Sequence, residues 1–213
     1  MPDEGELKEP APGDHWDEVW DGADPDRVSW FEPRPEISLR LIESSGLGRR
    51  AGLIDVGGGA SLLTRQLLDA GYEDLTVLDI SVGGLAAGRG RLGPAASAVE
   101  WIRADVRHFE PSRTWDLWHD RAVFHFLQLA EDRAAYLATL DRCLADGGQV
   151  IFATFGPEGP ERCSGLEVRR YSLESLAGEL GPGFRLEDSS IQEHTTPAGG
   201  SQQFLYARFK RVG

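Results

Sequence analysis

Lysine is nearly missing from this chain. Of 213 residues only Lys8 and Lys210 are lysine, and arginine carries the remaining positive charge. Acids outnumber bases, 35 Asp and Glu against 22 Lys and Arg, for a formal net charge of −13. No basic run interrupts that balance. Such a surface repels phosphate backbones, so no nucleic-acid partner is expected. Long apolar stretches are missing too. Apolar residues make up 40% of the chain, yet no run approaches the ~20 positions of a membrane span, so no membrane partner is expected. Cysteine occurs twice, at Cys143 and Cys163, without metal-type spacing, and neither a bound metal nor a disulfide framework is expected. The first 13 residues are acidic, rich in Pro and Gly, and lack the apolar core of a signal or transit peptide. They read as a disordered acidic tail (1–13), and a cytoplasmic location follows by default.

The most informative stretch is Leu53-Ile54-Asp55-Val56-Gly57-Gly58-Gly59-Ala60-Ser61. Leu53, Ile54 and Val56 read as a buried parallel strand. Three glycines stop it, and Leu62, Leu63, Gln66, Leu67 and Ala70 begin a helical pattern. Strand, glycine turn and helix make the nucleotide-binding corner of a doubly wound sheet. The Gly-x-Gly-x-x-Gly dinucleotide fingerprint fails, because the third position after Gly57 and Gly59 is Leu62. Asp55 would also place negative charge beside a pyrophosphate. It suits a ligand with an amino group instead.

Upstream, Asp14 is placed to cap a helix bearing His15, Trp16, Val19 and Trp20. Prolines then break the chain around Trp30 and Phe31, and a second amphipathic helix carries Ile37, Leu39, Leu41 and Ile42. Four aromatics in so short a region satisfy either a core or a cover over a ligand. Downstream, an apolar strand over 75–79 ends in Asp79, about 20 residues past the glycine turn, where an acid grips a ribose diol. The helix over 82–92 holds four glycines and should be weak. A third strand (99–103) precedes Asp105, and a fourth (115–119) runs into 120–126. Asp132 can cap a long helix that ends at Gly147-Gly148. A fifth strand (149–155) leads to a loop over 156–171, long enough to be a functional cap. Strands at 184–192 and 203–209, joined through 194–200, should pair as an antiparallel hairpin.

Asp-x-Gly-x-Gly-x at 55–60 resembles motif I of the class I S-adenosylmethionine-dependent methyltransferases, with Ser61 where many members carry a third glycine. The resemblance implies a doubly wound, mostly parallel seven-stranded sheet with an antiparallel last strand. It places an S-adenosylmethionine-binding domain at 51–213 and a helical lid at 14–50. It implies S-adenosylmethionine as cofactor, held by Asp55, Gly57, Gly59, Ser61, Asp79, Ile80, Asp105, Val106 and His119. His-Trp-Asp-x-x-Trp at 15–20 resembles the Trp-Asp-x-x-Tyr lid of small-molecule members, which adds Trp20. Blocks at 163–171 and 194–204 resemble a bacterial subgroup without pointing to a substrate.

After the fourth strand stands Asp120-Arg121-Ala122-Val123. It departs both from the Asn/Asp-Pro-Pro-Tyr/Phe of nucleic-acid amino methyltransferases and from the Asp-Lys-Gly-Thr of some protein-lysine methyltransferases. A small-molecule methyl acceptor is therefore expected, methylated by direct displacement. A protein-lysine methyltransferase, a non-catalytic S-adenosylmethionine-binding regulator and a nicotinamide oxidoreductase are the rival readings. His125 is the candidate general base, set against the plainer reading of a packed histidine between two phenylalanines. The expected acceptor cleft gathers Trp30, Phe31, Cys163, Arg169, Arg170 and His194. Arg169 and Arg170 would favour an anionic acceptor, unless they merely pair with neighbouring acids such as Glu167.

Overall fold

The computed structural model describes residues 12–212. Most of the expected tail therefore lies outside the described residues, and Pro12 and Gly13 already belong to the first helix, α1 (Pro12–Trp20). Asp14 sits in the first turn of that helix, not at its cap. After α2 (Glu36–Glu43) the chain alternates β1 (Leu53–Val56), α3 (Leu63–Asp69), β2 (Leu75–Asp79), α4 (Val82–Leu92), β3 (Val99–Arg103), β4 (Trp115–Arg121), α5 (Ala130–Cys143) and β5 (Leu144–Phe155). A small hairpin, β6 (Arg162–Cys163) and β7 (Leu166–Glu167), precedes α6 (Leu173–Leu180) and the long pair β8 (Phe184–Thr195) and β9 (Ser201–Arg211).

The seven-stranded sheet has the order β3-β2-β1-β4-β5-β9-β8. Its strands are parallel except β9, which runs antiparallel to both neighbours. The expected fold class holds. Alternate strand residues face opposite layers, as a pleat requires. Leu53, Val77, Leu117 and Ile151 pack with Leu41, Ile42, Leu63 and Leu85 on one side. Ile54, Leu78, Trp118 and Val150 pack with Tyr136, Leu140 and Leu176 on the other.

Several boundaries shift. Helix α5 begins at Ala130, so Asp132 lies inside its first turn, and the helix stops at Cys143, ahead of Gly147-Gly148. Leu144 already joins the sheet opposite Trp115, and its carbonyl accepts from Arg211 Nη1 at 2.7 Å. The residues 194 and 195, expected in a connection, extend β8, because the pairing continues to Thr195 opposite Ser201. Helix α2 was expected to be part of a lid, but it buries Ser38, Leu39, Leu41 and Ile42 against the body.

The glycines of α4 have a steric purpose. A Cβ on Gly88 would lie 2.1 Å from the Gly59 carbonyl oxygen, and one on Gly83 would lie 2.7 Å from Trp20 Cβ. The helix gives up intrinsic propensity so that the β1 turn and α1 can approach its backbone. Gly90 is exposed, with nothing within 4 Å of its would-be Cβ. Gly88→Ala should therefore destabilise the fold by about 1–3 kcal/mol, the cost of overpacking. Gly90→Ala should stabilise it by up to ~1 kcal/mol. Urea unfolding of the two variants checks the contrast.

Candidate cofactor and acceptor site

The carboxyl ends of β1, β2, β3 and β4 converge under α1 and the segment 21–35, and two adjoining cavities lie between them. The larger has a volume of about 470 Å³ and runs from Asp79, Ile80, Asp105 and Val106 to Trp16, Trp30, Phe126, Cys163 and Leu166. The smaller, about 60 Å³, lies over the glycine turn, between Asp55, Gly57, Gly58, Ser61 and His119 below and Trp20, Trp30 and Phe31 above. Trp20, Trp30, Gly57 and Arg121 wall both.

Parallel register sets Asp55 of β1 opposite His119 of β4. His119 Nδ1 lies 2.7 Å from Asp55 Oδ1, so it carries the proton, and Nε2 lies 2.9 Å from the Ser38 hydroxyl. Asp55 and His119 are both buried, and Asp55 Oδ2 makes no hydrogen bond. A buried carboxylate oxygen without a donor calls for one.

Asp79 ends β2 and accepts from the Ser81 N–H at 2.8 Å. Burial, with the Asp55 charge adding to it, raises its carboxyl to about 6. A Cβ on Gly59 would lie 2.7 Å from Asp79 Oδ2, so the turn leaves this acid accessible only by being bare. Asp105 caps the turn Val106–His108 and is bound by Arg107 through its backbone N–H and its guanidinium. Burial opposes ionisation there, but the Arg107 bonds outweigh it and lower the carboxyl. Arg107 also reaches Asp132 at 2.5 Å, which fixes both acids in the cavity wall. Ser61 accepts from the Leu63 N–H at 3.0 Å, beside the smaller cavity.

The roof is aromatic. Trp16 meets Phe126 edge-on at 4.9 Å, and Trp20 meets Trp30 edge-on at 5.9 Å. Trp20 lies over Gly83 and Gly84, where a Cβ would collide with it. Asp17 locks the roof to α4: its Oδ1 accepts from the Ser81 hydroxyl at 2.7 Å and from the Gly83 N–H at 3.3 Å.

The acceptor expectations need correction. His125 lies in the 3-10 turn Phe124–Phe126, fully buried and outside both cavity walls. Its Nδ1 accepts from the Phe155 N–H, and burial, aided by the Arg121 charge, lowers it to about 3. A neutral imidazole so placed reaches neither cavity. It is a packed histidine. Arg169 pairs with Glu179, and Arg170 with Glu161, and neither lines a cavity. The plainer ion-pair reading holds for them, with other acids than Glu167. His194 is held by the Ser29 carbonyl at 2.8 Å, also outside both walls. Trp30 and Cys163 reach the larger cavity, while Phe31 lines only the smaller.

Three further residues, Asp17, Ser38 and Arg121, support or wall the two cavities. Asp17 lies within His-Trp-Asp-x-x-Trp, where no local spacing marks it as a cap for another helix. Arg121, in Asp120-Arg121-Ala122-Val123, walls both cavities. Ser38 carried no sequence signal at all. Removing the Asp17 lock should cost the roof one capping interaction, about 1 kcal/mol. Asp17→Ala should then speed amide exchange across residues 13–20 while leaving β1 and β4 unchanged. Unaltered exchange there would mean that Trp20 packing alone holds the roof.

A family model described as a methyltransferase domain matches residues 54–152. The chain is 24% identical over 145 residues to an eEF1A lysine and N-terminal methyltransferase of Mus musculus, covering 68% of this chain and 20% of that one. It is 27% identical over 129 residues to a malonyl-[acyl-carrier protein] O-methyltransferase of Paenibacillus sp. (strain JDR-2), covering 57% and 46%. The chain thus spans less than half the length of either relative. Among solved structures, it is similar in fold to the 1,6-didemethyltoxoflavin-N1-methyltransferase of Burkholderia thailandensis, bound to 1,6-didemethyltoxoflavin and S-adenosylhomocysteine. The TM-score is 0.66 at 23% identity, over 84% of this chain and 78% of that one. The domain match falls on β1 through β5, where the glycine turn and the strand-end acids lie, and there the chain is similar in sequence and fold to methyltransferases, among them one bound to S-adenosylhomocysteine.

Proposed function

We propose that this protein transfers a methyl group from S-adenosylmethionine to a small-molecule acceptor. The observation that carries the reading is the larger cavity, which continues from the strand-end acids into an aromatic chamber under α1. Such a chamber, apolar with few polar groups, suits a small ligand. A lysine on a protein surface would have to pass α1 and the β6–β7 hairpin, so the protein-methylating alternative suggested by the eEF1A relative is not favoured.

The residues fit the cofactor. Asp55 Oδ2, buried and unpartnered, is the acceptor for its ammonium group. The bare turn at Gly57 and Gly59 admits its backbone, with Ser61 beside it. Asp79 takes the ribose hydroxyls, Ile80 and Val106 flank the adenine, and Asp105 accepts from the adenine amine. His119 acts through Asp55, holding that carboxylate in place, and Trp20 covers the ligand. When bound, the cofactor supplies an activated methyl group on a good leaving group. The protein then has to align the acceptor and exclude water. We place the protein in the cytoplasm, with no nucleic-acid or membrane partner. No helix among the described residues is long and apolar enough to cross a membrane.

Calorimetry should show binding of S-adenosylhomocysteine and none of NAD, and a donor-isotope screen over thiols, amines and small acids should reveal methyl transfer. Binding without turnover on any acceptor class would favour a non-catalytic S-adenosylmethionine sensor.

Asp79 makes the reading sensitive to pH. Its carboxyl is raised from 3.8 to about 6 in the free protein, and ribose hydroxyls bind its ionised form. Affinity for S-adenosylhomocysteine should therefore be full above pH 6 and decline as pH falls through 6. Asp79→Asn should cost roughly 1.5–3 kcal/mol of that affinity. The stability contribution has the opposite sense. A raised folded-state value contributes stability below the unfolded value that is lost as pH rises through 6. The unliganded Asp79→Asn protein should then be more stable than wild type at pH 8, by up to ~3 kcal/mol, with the gap closing below pH 3.8. Thermal unfolding across that range checks it.

A further inference from the structure

One buried cation, Arg121, stands in the wall that the two cavities share. Arg121 ends β4, and only 12% of its side chain is exposed. Its Nε donates to the Tyr206 hydroxyl at 3.1 Å and its Nη1 to the Trp30 carbonyl at 3.0 Å. Nη2 is buried and ion-paired with Glu32 Oε1 at 3.2 Å, outside strict hydrogen-bond geometry. A guanidinium has five N–H donors, so donors remain to be used. The other cation in that cavity wall, Arg107, is taken up by Asp105 and Asp132. Glu32 is itself shared, with His194 Nδ1 at 3.7 Å. The walls beside Arg121 are Trp16, Trp30, Phe126, Leu166 and Cys163, which offer no second cation.

We propose that the site selects an anionic small molecule, an aromatic or otherwise apolar body bearing a carboxylate, and that Arg121 reads its charge. The inference rests on the methyltransferase reading and narrows its acceptor class. The planar guanidinium matches a carboxylate, and a charge-assisted bond away from bulk water is stronger than a neutral one. In the free protein Glu32 stands in as an imperfect counter-charge, close in distance but off hydrogen-bond geometry. An incoming carboxylate takes over Nη2. The aromatic walls receive the apolar body, and the acidic surface as a whole makes this buried cation the group that tells an anion from its neutral isostere.

The test is calorimetric, on the full-length protein saturated with S-adenosylhomocysteine. The probes are benzoate, phenylacetate and 3-phenylpropionate, each paired with its primary amide. Binding of S-adenosylhomocysteine is measured first. If it fails, the methyltransferase reading itself falls. If it succeeds, at least one carboxylate should bind about tenfold or more tightly than its amide, the scale of one charge-assisted hydrogen bond. Arg121→Met should erase that preference, the carboxylate and its amide then binding within about threefold of each other. Because Arg121 also holds Trp30, Glu32→Gln provides the second arm. It removes the competing carboxylate, so it should tighten the carboxylate probe and leave the amide unchanged. Equal binding of acid and amide, no binding of any pair at about 10 mM, or a preference that survives Arg121→Met would overturn the proposal. So would weaker binding of both probes in Glu32→Gln, since the ion pair would then be structural. Loss of S-adenosylhomocysteine affinity in Arg121→Met would overturn it as well, by assigning Arg121 to the cofactor.

Discussion

Everything at this site depends on a steric constraint: four elements meet where no Cβ can stand. Gly57, at φ +68, turns the chain off β1, and a Cβ there would lie 2.2 Å from Val123 Cγ2 after β4. Gly59, at φ +23, faces the Asp79 carboxylate at the end of β2, and its carbonyl presses on Gly88 of α4. The turn is thus wedged between β4 on one side and β2 with α4 on the other. Glycine is required for the approach of protein to protein as much as for the approach of a ligand.

That wedge concentrates negative charge. Asp55, Asp79 and Asp120 all lie within one residue of the carboxyl ends of parallel strands, and all are buried. Each is handled differently. Asp55 is set against His119. Asp79 relies on backbone N–H groups and is raised to about 6. Asp120 receives the Tyr136 hydroxyl at 2.5 Å and the N–H groups of Val123 and Phe124, and burial again raises it to about 6. By tying down that turn, Asp120 holds Ala122 at φ 70 and Val123 against Gly57, so its contribution is to the shape of the cavity wall. Burying carboxylates costs stability unless donors meet them, and of the two that line cavities Asp55 keeps one oxygen without a donor. This is the arrangement expected where a ligand with amino and hydroxyl groups completes the set.

Much of this was legible along the chain because it is local. A strand, its terminal acid, the glycines and the following helix lie within a dozen residues, and a parallel sheet repeats the pattern. Asp55, Asp79 and Asp105 could therefore be placed at successive strand ends, and the antiparallel β9 inferred from a connection too short for a helical crossover. The α4 glycines, in contrast, read as weakness, because the groups they admit, Trp20 and the Gly59 carbonyl, come from elsewhere in the chain. The end of α5 was misplaced for a similar reason: Leu144 is drawn into the sheet by Trp115 and Arg211, which no local glycine signal reveals.

The acceptor end followed the same rule more severely. His125, Arg169, Arg170 and His194 have the right chemistry in the right loops, but each finds a partner in the fold and turns from the cavity: Phe155, Glu179, Glu161 and Ser29. Arg121 faces it only because β4 continues past His119, and its partners Glu32, Trp30 and Tyr206 come from the two ends of the chain. The sequence by itself determined the layered fold, the glycine turn and the strand-end acids, since periodicity and short-range spacing encode them. The tertiary structure alone decided which polar side chains remain available to a ligand. Availability depends on whether a distant residue has already satisfied a buried group, and spacing along the chain carries no record of that.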